Sequence, residues 1–184
     1  MQKIKVLLIG PCKVGKSMVA NYLSEAIDNP ETDYHPTPGV RILEYDSINA
    51  MSNQRIEVEL WDCSGDAKYD ACWPAFQRGA NGVVLMVEPS RNDHIRYAEK
   101  CLGLIAGISN LSKQQLMVIL CSHGGSSSGG SKLSGAWSQA HQISMDLREG
   151  GQTLRRDMAG FISHLAETVR LQNDREELSV LGFR

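Results

Sequence analysis

The sequence predicts one α/β domain in which a mostly parallel sheet is covered by helices on both faces. Two observations point to this fold class. Apolar runs of strand length alternate along the chain with segments in which apolar residues recur at helical spacing. In addition, the runs "GVVLMV" (82–87) and "LMVILC" (116–121) are continuously apolar, as are strands that helices cover on both sides. A chain of 184 residues is long enough to bury the core of such a domain.

The first half of the chain contains the strands that are predicted to lead into the site. Residues 4–9, "IKVLLI", form an apolar run that ends at a glycine, and residues 16–27 follow with their apolar residues at helical spacing. The next segment, 28–38, contains three prolines and cannot be a helix. Two strand candidates, 39–46 and 55–61, are separated by a polar turn. They therefore predict an antiparallel hairpin with one strand at the edge of the sheet.

The second half alternates strands with helices. Its two predicted helices are marked by apolar faces, formed by Ile95, Ala98, Leu102 and Ile105 in the first and by Leu154, Met158, Phe161, Leu165 and Val169 in the second. Between them, residues 122–138 are rich in Gly and Ser and have no apolar stripe, which predicts a mobile loop in place of one connecting helix. A strand before the last helix completes a six-stranded sheet. We expect a domain over residues 1–171 and a tail over 172–184 that is either disordered or folded along the domain or a partner.

Composition and charge exclude several classes of protein. The formal net charge of −2 gives no electrostatic reason to expect nucleic acid or an anionic membrane as a partner. The five cysteines show no paired metal-binding spacing, which indicates reduced thiols. No apolar run is long enough to span a bilayer. Residue 2 is Gln and the ending "LGFR" contains no cysteine, so the sequence predicts no direct lipid anchor.

The segment "GPCKVGKS" (10–17) matches the pattern G-x-x-x-x-G-K-[ST] and lies between a predicted strand and a predicted helix. Glycines let the backbone curl so that successive N–H groups point at phosphate oxygens, and the helix N-terminus adds partial positive charge. Lys16 would bridge the β- and γ-phosphates, and the Ser17 hydroxyl would bind Mg²⁺. The sequence therefore predicts a P-loop nucleotide site formed by Gly10, Cys12, Lys13, Val14, Gly15, Lys16, Ser17 and Met18.

Three residues outside the P-loop complete the predicted site. Asp62 ends a strand, which is where P-loop proteins carry a second carboxylate associated with Mg²⁺. Thr37, in the proline-rich segment, offers a hydroxyl that reaches the metal only when the γ-phosphate is present. The N–H of Gly65 is the matching γ-phosphate donor. The predicted metal ligands are therefore Ser17, Thr37 and Asp62.

These motifs resemble those of the Ras/Rab-type small GTPases. The resemblance covers residues 1 to about 121 and rests on the P-loop, on "PTPG" (36–39) and on a hairpin that leads into "WDCSGD" (61–66). Within that superfamily, "PTPGVRILEY", "ELWDCSGDAKYDACWPAF" and the terminal "NDREELS" resemble the Rab-like GTPases of intraflagellar transport complex B. The resemblance implies a P-loop NTPase fold and a protein that binds GTP or GDP with Mg²⁺.

The resemblance also implies partners and a place in the cell. In this family the two loops that respond to the nucleotide, here about 28–46 (switch I) and 62–80 (switch II), form the default docking face. The implied partners are coiled-coil subunits of an intraflagellar transport complex, bound through this switch face. The implied location is the cytoplasm together with the cilium or flagellum and its base.

One departure from the family pattern concerns hydrolysis. Asp66 stands at the position of the glutamine that orients the attacking water. A carboxylate there repels the phosphate oxygens and lacks the amide donor, so it is a degenerate form of the catalytic residue. Ras, which has the glutamine, turns over at only about 10⁻⁴ per second unaided. We expect hydrolysis that is slow or absent, a weak GTPase at most without a partner; the alternative is a partner-activated GTPase.

A second departure concerns the base. The family motif Asn-Lys-x-Asp is missing, and the chain reads "SHGG" (122–125) after the strand "LMVILC". The missing Asp would accept two hydrogen bonds from guanine, each worth about 1.5–3 kcal/mol. Ser122 and His123 then lie at the base pocket, and backbone N–H groups of a turn at Ser144 and Met145 are left to select guanine. Relaxed specificity, with ATP or GTP bound, stays open as an alternative.

Overall fold

The structure is a computed structural model that describes residues 2–25, 35–108, 111–122, 132–146 and 151–180. The strands are β1 (Gln2–Ile9), β2 (Val40–Ile48), β3 (Arg55–Cys63), β4 (Gly82–Val87), β5 (Leu116–Ser122) and β6 (His141–Asp146). The α-helices are α1 (Lys16–Leu23), α2 (Trp73–Phe76), α3 (Asn92–Ile105) and α4 (Gly151–Val180). Shorter 3₁₀ helices span Ala67–Cys72, Lys113–Gln115 and Gly135–Gln139.

The strands form one six-stranded sheet in the order β2-β3-β1-β4-β5-β6. All neighbouring strands are parallel except β2 and β3, whose antiparallel pairing puts β2 at the edge. The predicted fold class is therefore confirmed. β1 and β3 are parallel neighbours in which Leu8 pairs with Asp62. The loop after β1 and the end of β3 therefore lie side by side at the carboxyl ends of the strands.

Helices bury a core on each face of the sheet. On one face, α1 and α4 cover β1 and β3, with Val19 of α1 and Met158 and Ile162 of α4 among the buried residues. On the other face, α2 and α3 pack against β4 and β5, where the Trp73 and Phe76 rings meet edge-on with 6.1 Å between centroids. Each fully buried side chain of this size contributes about 1.5–3 kcal/mol. The two layers thereby fix the strand ends that carry the site.

The structure corrects the predicted loop over residues 122–138. Ser122 belongs to β5, residues 135–139 form a 3₁₀ helix, and residues 123–131 lie outside the described residues. Trp137 in that helix is 2% exposed, and its indole N–H donates a 2.9 Å hydrogen bond to the Ala98 carbonyl of α3. One buried indole therefore anchors the end of a segment whose Gly and Ser content predicts a loop throughout.

Helix α4 continues to Val180, so the expected division of the chain at residue 171 falls inside a helix. Arg170 forms ion pairs with Glu167 and Asp174, which stabilise the helix where it becomes exposed. The division into domain and tail stays a prediction, and the chain beyond Val180 lies outside the described residues. Within the described ranges, no helix combines the length and the apolar character that crossing a bilayer requires.

Candidate functional site

The P-loop joins the end of β1 to the start of α1. Gly15 has a φ of 98°, a left-handed conformation that favours glycine, and it turns the chain into the helix that begins at Lys16. Lys16 is 6% exposed, and its Nζ donates hydrogen bonds of 2.8 Å to the carbonyls of Gly10 and Pro11. Burial lowers the pKa of Lys16 below its ordinary value, and the charge of Asp62 opposes that shift. The ammonium therefore lies inside the loop, within electrostatic reach of a buried carboxylate.

The other predicted P-loop residues differ in exposure. Cys12 and Lys13 are exposed, Val14 is buried in the core, and Met18 is half-buried in α1. Lys13 has a φ of 64°, a left-handed conformation that costs a residue with a side chain about 1–2 kcal/mol. The backbone thus curls at both Lys13 and Gly15, which is the geometry in which successive N–H groups converge on an anion.

Three side chains from different elements meet beside the P-loop. The Oγ of Ser17 and the Oγ1 of Thr37 share a hydrogen bond of 2.8 Å, and the Thr37 hydroxyl donates to Oδ2 of Asp62 at 3.3 Å. Asp62 is fully buried, and its Oδ1 has no hydrogen-bond partner in the described part of the chain. Two hydroxyls and an unsatisfied carboxylate oxygen are hard oxygen donors of the kind that Mg²⁺ prefers. The residues predicted as metal ligands are therefore brought together, and they fit that ion.

Gly65 lies directly against the P-loop. A Cβ atom at this position would come within 2.4 Å of the Gly10 carbonyl oxygen and 2.6 Å of the Cys12 nitrogen, so only glycine fits. Next to it, the Ser64 amide donates a 2.8 Å hydrogen bond to the Gly39 carbonyl. The start of switch II is thereby joined both to the P-loop and to switch I.

The Asp66 carboxylate caps its own helix. It accepts a 3.1 Å hydrogen bond from the Lys68 amide at the start of the 3₁₀ helix Ala67–Cys72 and pairs with the Lys68 Nζ at 3.0 Å. These contacts, the backbone hydrogen bond first, hold the pKa of Asp66 below its usual range. Asp66 therefore stays ionised at neutral pH and supports the local fold of switch II.

The residues predicted to contact the nucleotide base lie in secondary structure that differs from the prediction. Ser144 and Met145 lie in β6, paired with Leu120 and Cys121 of β5, so the prediction that they form a turn is wrong. The reason is that residues 141–146 pair in parallel with residues 117–122 of β5, which makes this segment the last strand of the sheet. The Ser122 hydroxyl donates to the Met145 carbonyl at 3.5 Å. His123 lies outside the described residues.

Sequence reasoning missed one residue of the site. The Nη2 of Arg41 in β2 lies 3.4 Å from Oδ2 of Asp62 and donates a 2.7 Å hydrogen bond to Oδ1 of Asn21 in α1. The signal was the period of two along β2, which puts Arg41 on the same face as Leu43 and Tyr45, the face that packs toward the α1 side of the core.

These features together define a class of protein. Three features lie together at the carboxyl ends of the strands of a six-stranded sheet. They are a buried lysine in a strand–loop–helix turn, a hydroxyl pair beside a buried carboxylate, and a glycine packed on the loop. This is the arrangement of a Ras-like P-loop domain. In agreement, residues 5–124 match the family described as "Ras of Complex, Roc, domain of DAPkinase".

The likeness to known proteins extends beyond that domain. The proteins named intraflagellar transport protein 22 homolog from Homo sapiens and Danio rerio are 33% and 32% identical to this chain over 186 residues, which cover 98% of this chain and 100% of each relative. The chain therefore belongs to the intraflagellar transport protein 22 family. A solved structure, "T. brucei IFT22/74/81 GTP-bound crystal structure", is similar in fold, with a TM-score of 0.76 at 22% identity over 94% of this chain and 99% of that one.

The comparisons confirm the resemblance to a Rab-like small GTPase of intraflagellar transport. They also confirm, at the level of the family, the function class of a small GTPase-type protein of intraflagellar transport, and with it the cilium or flagellum as its place of action.

Proposed function

We propose that this chain binds GTP together with Mg²⁺ and hydrolyses it slowly or not at all. The observation that carries the proposal is the convergence of Ser17, Thr37 and Asp62 beside a P-loop that contains a buried lysine. Two relationships support guanine as the base. The family is Ras-like, and the protein of similar fold from T. brucei is described as GTP-bound.

Each residue of the site has a defined task in this proposal. The curled backbone over residues 10–15 and the N-terminus of α1 bind the phosphates, and Lys16 supplies the positive charge at their centre. Ser17, Thr37 and Asp62 hold Mg²⁺, which when bound neutralises the charge of the phosphates. The Gly65 amide, held against the P-loop, is the proposed donor to the γ-phosphate.

Slow hydrolysis follows from Asp66. Its carboxylate carries negative charge and is already occupied as the cap of the 3₁₀ helix Ala67–Cys72. It therefore cannot orient a water molecule by donating a hydrogen bond. A bound triphosphate then keeps switch I and switch II in one conformation for a long time. This is the behaviour of a binding subunit rather than of a fast enzyme.

We propose that the switch face docks coiled-coil subunits of an intraflagellar transport complex. The name of the T. brucei structure pairs its IFT22 with two further proteins, designated 74 and 81. On this chain, Ile42 of switch I is 49% exposed and pairs across the hairpin with Trp61, which gives the face an apolar contact point. Ile42→Asp is expected to weaken binding of the coiled-coil subunits, whereas Met51→Asp, at an exposed methionine between β2 and β3 and outside both switches, is the matched control. Equal weakening by both variants would contradict docking at the switch face.

Binding of fluorescent nucleotides tests the nucleotide proposal. We expect mant-GTP to bind in the presence of Mg²⁺, Lys16→Ala to abolish binding, and Lys113→Ala to leave it unchanged. Lys113 is the matched control because its Nζ contacts only the exposed Gln139 side chain among the described residues. Unchanged binding in Lys16→Ala would contradict the site.

Competition with unlabelled nucleotides tests the base. The segment "SHGG" (122–125) offers no carboxylate to the base, and the hydroxyl of its first residue, Ser122, donates to the Met145 carbonyl; these observations favour relaxed specificity as a second candidate. Equal displacement by ATP and GTP would establish that second candidate. Displacement by GTP alone would support guanine selectivity.

A further inference from the structure

The guanidinium of Arg41 joins three elements around the proposed metal site. Its Nη2 donates to Oδ1 of Asn21 in α1 at 2.7 Å, lies 3.4 Å from the Ser17 carbonyl, and lies 3.4 Å from Oδ2 of Asp62 in β3. Asn21 therefore holds the guanidinium next to a carboxylate that is proposed to serve the metal. None of the tasks in the proposed function uses this arginine.

The charge balance around Asp62 explains why such a neighbour is needed. The Asp62 side chain is fully buried, and an ionised carboxylate without a counter-charge is costly to bury. Lys16, the buried lysine of the loop, directs its Nζ at the Gly10 and Pro11 carbonyls. Arg41 is the cation with a direct contact to Asp62 in the described part of the chain.

We propose that Arg41 is a built-in counter-ion that sets how strongly nucleotide binding depends on Mg²⁺. This inference rests on the proposed function, because it concerns the same metal site. Arg41 lies at Oδ2 of Asp62, and the unsatisfied Oδ1 is the oxygen left for Mg²⁺, so the two cations share one carboxylate and repel each other. Arg41 therefore lowers the affinity for Mg²⁺, and it retains part of the nucleotide affinity when the metal is removed.

The hydrogen bond from Arg41 to Asn21 gives a second way to test the effect of the Arg41 charge on Asp62. A carboxylate in place of Asn21 would accept the guanidinium in a charge-assisted pair and draw it away from Asp62. Asn21→Asp is thus expected to make nucleotide binding depend more strongly on Mg²⁺, as is removal of the Arg41 charge, although Arg41 itself is intact.

The experiment measures two quantities in wild type and in Arg41→Gln. One is the apparent Kd of Mg²⁺ for the protein loaded with mant-GDP. The other is the rate of mant-GDP release in EDTA divided by the rate in millimolar Mg²⁺. Because 43% of the Arg41 side chain is exposed, its charge is partly screened, and we expect the Kd of Mg²⁺ to fall about fivefold in Arg41→Gln. The ratio of release rates is expected to rise.

Arg55→Gln is the matched control, because Arg55 is an exposed arginine on β3 that pairs with Asp46 on the same hairpin. The inference is supported if Arg41→Gln and Asn21→Asp both raise the ratio of release rates and Arg55→Gln does not. It is overturned, with the proposed function intact, if all variants bind mant-GDP and show the wild-type ratio. Absence of Mg²⁺-dependent nucleotide binding in wild type would overturn both. If Arg41→Gln does not fold, Asn21→Asp decides the question alone.

Discussion

The Ser17 and Thr37 hydroxyl oxygens lie 2.8 Å apart, although Ser17 lies in the first turn of α1 and Thr37 belongs to the proline-rich segment that precedes β2. This contact ties the P-loop to switch I, and the hydrogen bond from Thr37 to Asp62 extends it to β3. One small cluster of oxygens therefore connects the element that would bind phosphate with the segment that would signal its presence.

Thr37→Val removes the hydroxyl but keeps the shape of the side chain. We expect the affinity for GTP with Mg²⁺ to fall about tenfold, because an oxygen ligand of the proposed metal site is lost together with its hydrogen bond to Asp62. Affinity for GDP should change much less, since Thr37 is proposed to reach the metal only with the triphosphate. Fluorescence titration measures both, and Thr168→Val is the control because the Thr168 hydroxyl bonds only within α4. Equal losses for GTP and GDP would argue against a switch role.

Gly65→Ala tests the contact between switch II and the P-loop. The added Cβ would lie 2.4 Å from the Gly10 carbonyl oxygen, and backbone on both sides cannot yield easily. We expect destabilisation of about 1–3 kcal/mol and loss of the difference between GTP and GDP binding. Gly103→Ala is the control, since a Cβ in that exposed turn of α3 meets nothing within 4 Å and should stabilise the helix by about 0.5–1 kcal/mol. A Gly65→Ala protein as stable as wild type would refute the close packing.

Asp66→Gln restores the amide that wild type lacks. We expect phosphate release to accelerate toward about 10⁻⁴ per second, the unaided rate of Ras. Asp66→Asn is the control, because it keeps a short capping side chain and removes the charge without the reach of glutamine. A single-turnover assay with labelled GTP measures the three proteins. Wild-type release within minutes, without any partner, would contradict slow hydrolysis.

His94 gives the fold a defined pH dependence. It is 2% exposed, and its Nδ1 accepts a 3.0 Å hydrogen bond from the Glu88 amide. Burial, aided by the charges of Arg91 and Lys16 and opposed by those of Asp93 and Glu88, lowers the pKa of His94 below its ordinary 6.5.

The unfolded chain therefore binds a proton at a higher pH than the folded one, so the contribution of His94 to stability is complete above about pH 6.5 and is lost as pH falls toward the folded pKa. We expect Tm to drop across this window more steeply in wild type than in His94→Asn, which keeps an acceptor that does not titrate. His164→Asn, at an exposed histidine of α4, should retain the wild-type slope. If Tm fell equally with decreasing pH in wild type and in His94→Asn, His94 would not be the source of this pH dependence.

The sequence predicts the P-loop, Thr37 and Asp62 because each belongs to a motif whose chemistry is local. It also predicts the sheet, since long apolar runs have few alternatives to a buried strand. Arg41 could not be found this way, because its contact with Asp62 depends on the register of the hairpin, in which Arg41 is the cross-strand partner of Asp62.

The misplaced turn at Ser144 and Met145 has a different cause. β6 is short and half-exposed, so its alternation is weak beside the runs of β4 and β5. Trp137 is a similar case, since one buried side chain decides the structure of a segment whose composition is typical of a loop.

The most direct test is to identify the nucleotide that the purified protein carries. Protein prepared in Mg²⁺ is denatured, and the released nucleotide is separated by ion-exchange chromatography and quantified against protein. The account predicts guanine nucleotide in near-stoichiometric amount from wild type and almost none from Lys16→Ala. Wild-type protein that carries no nucleotide, and that binds none from millimolar GTP with Mg²⁺, would contradict it.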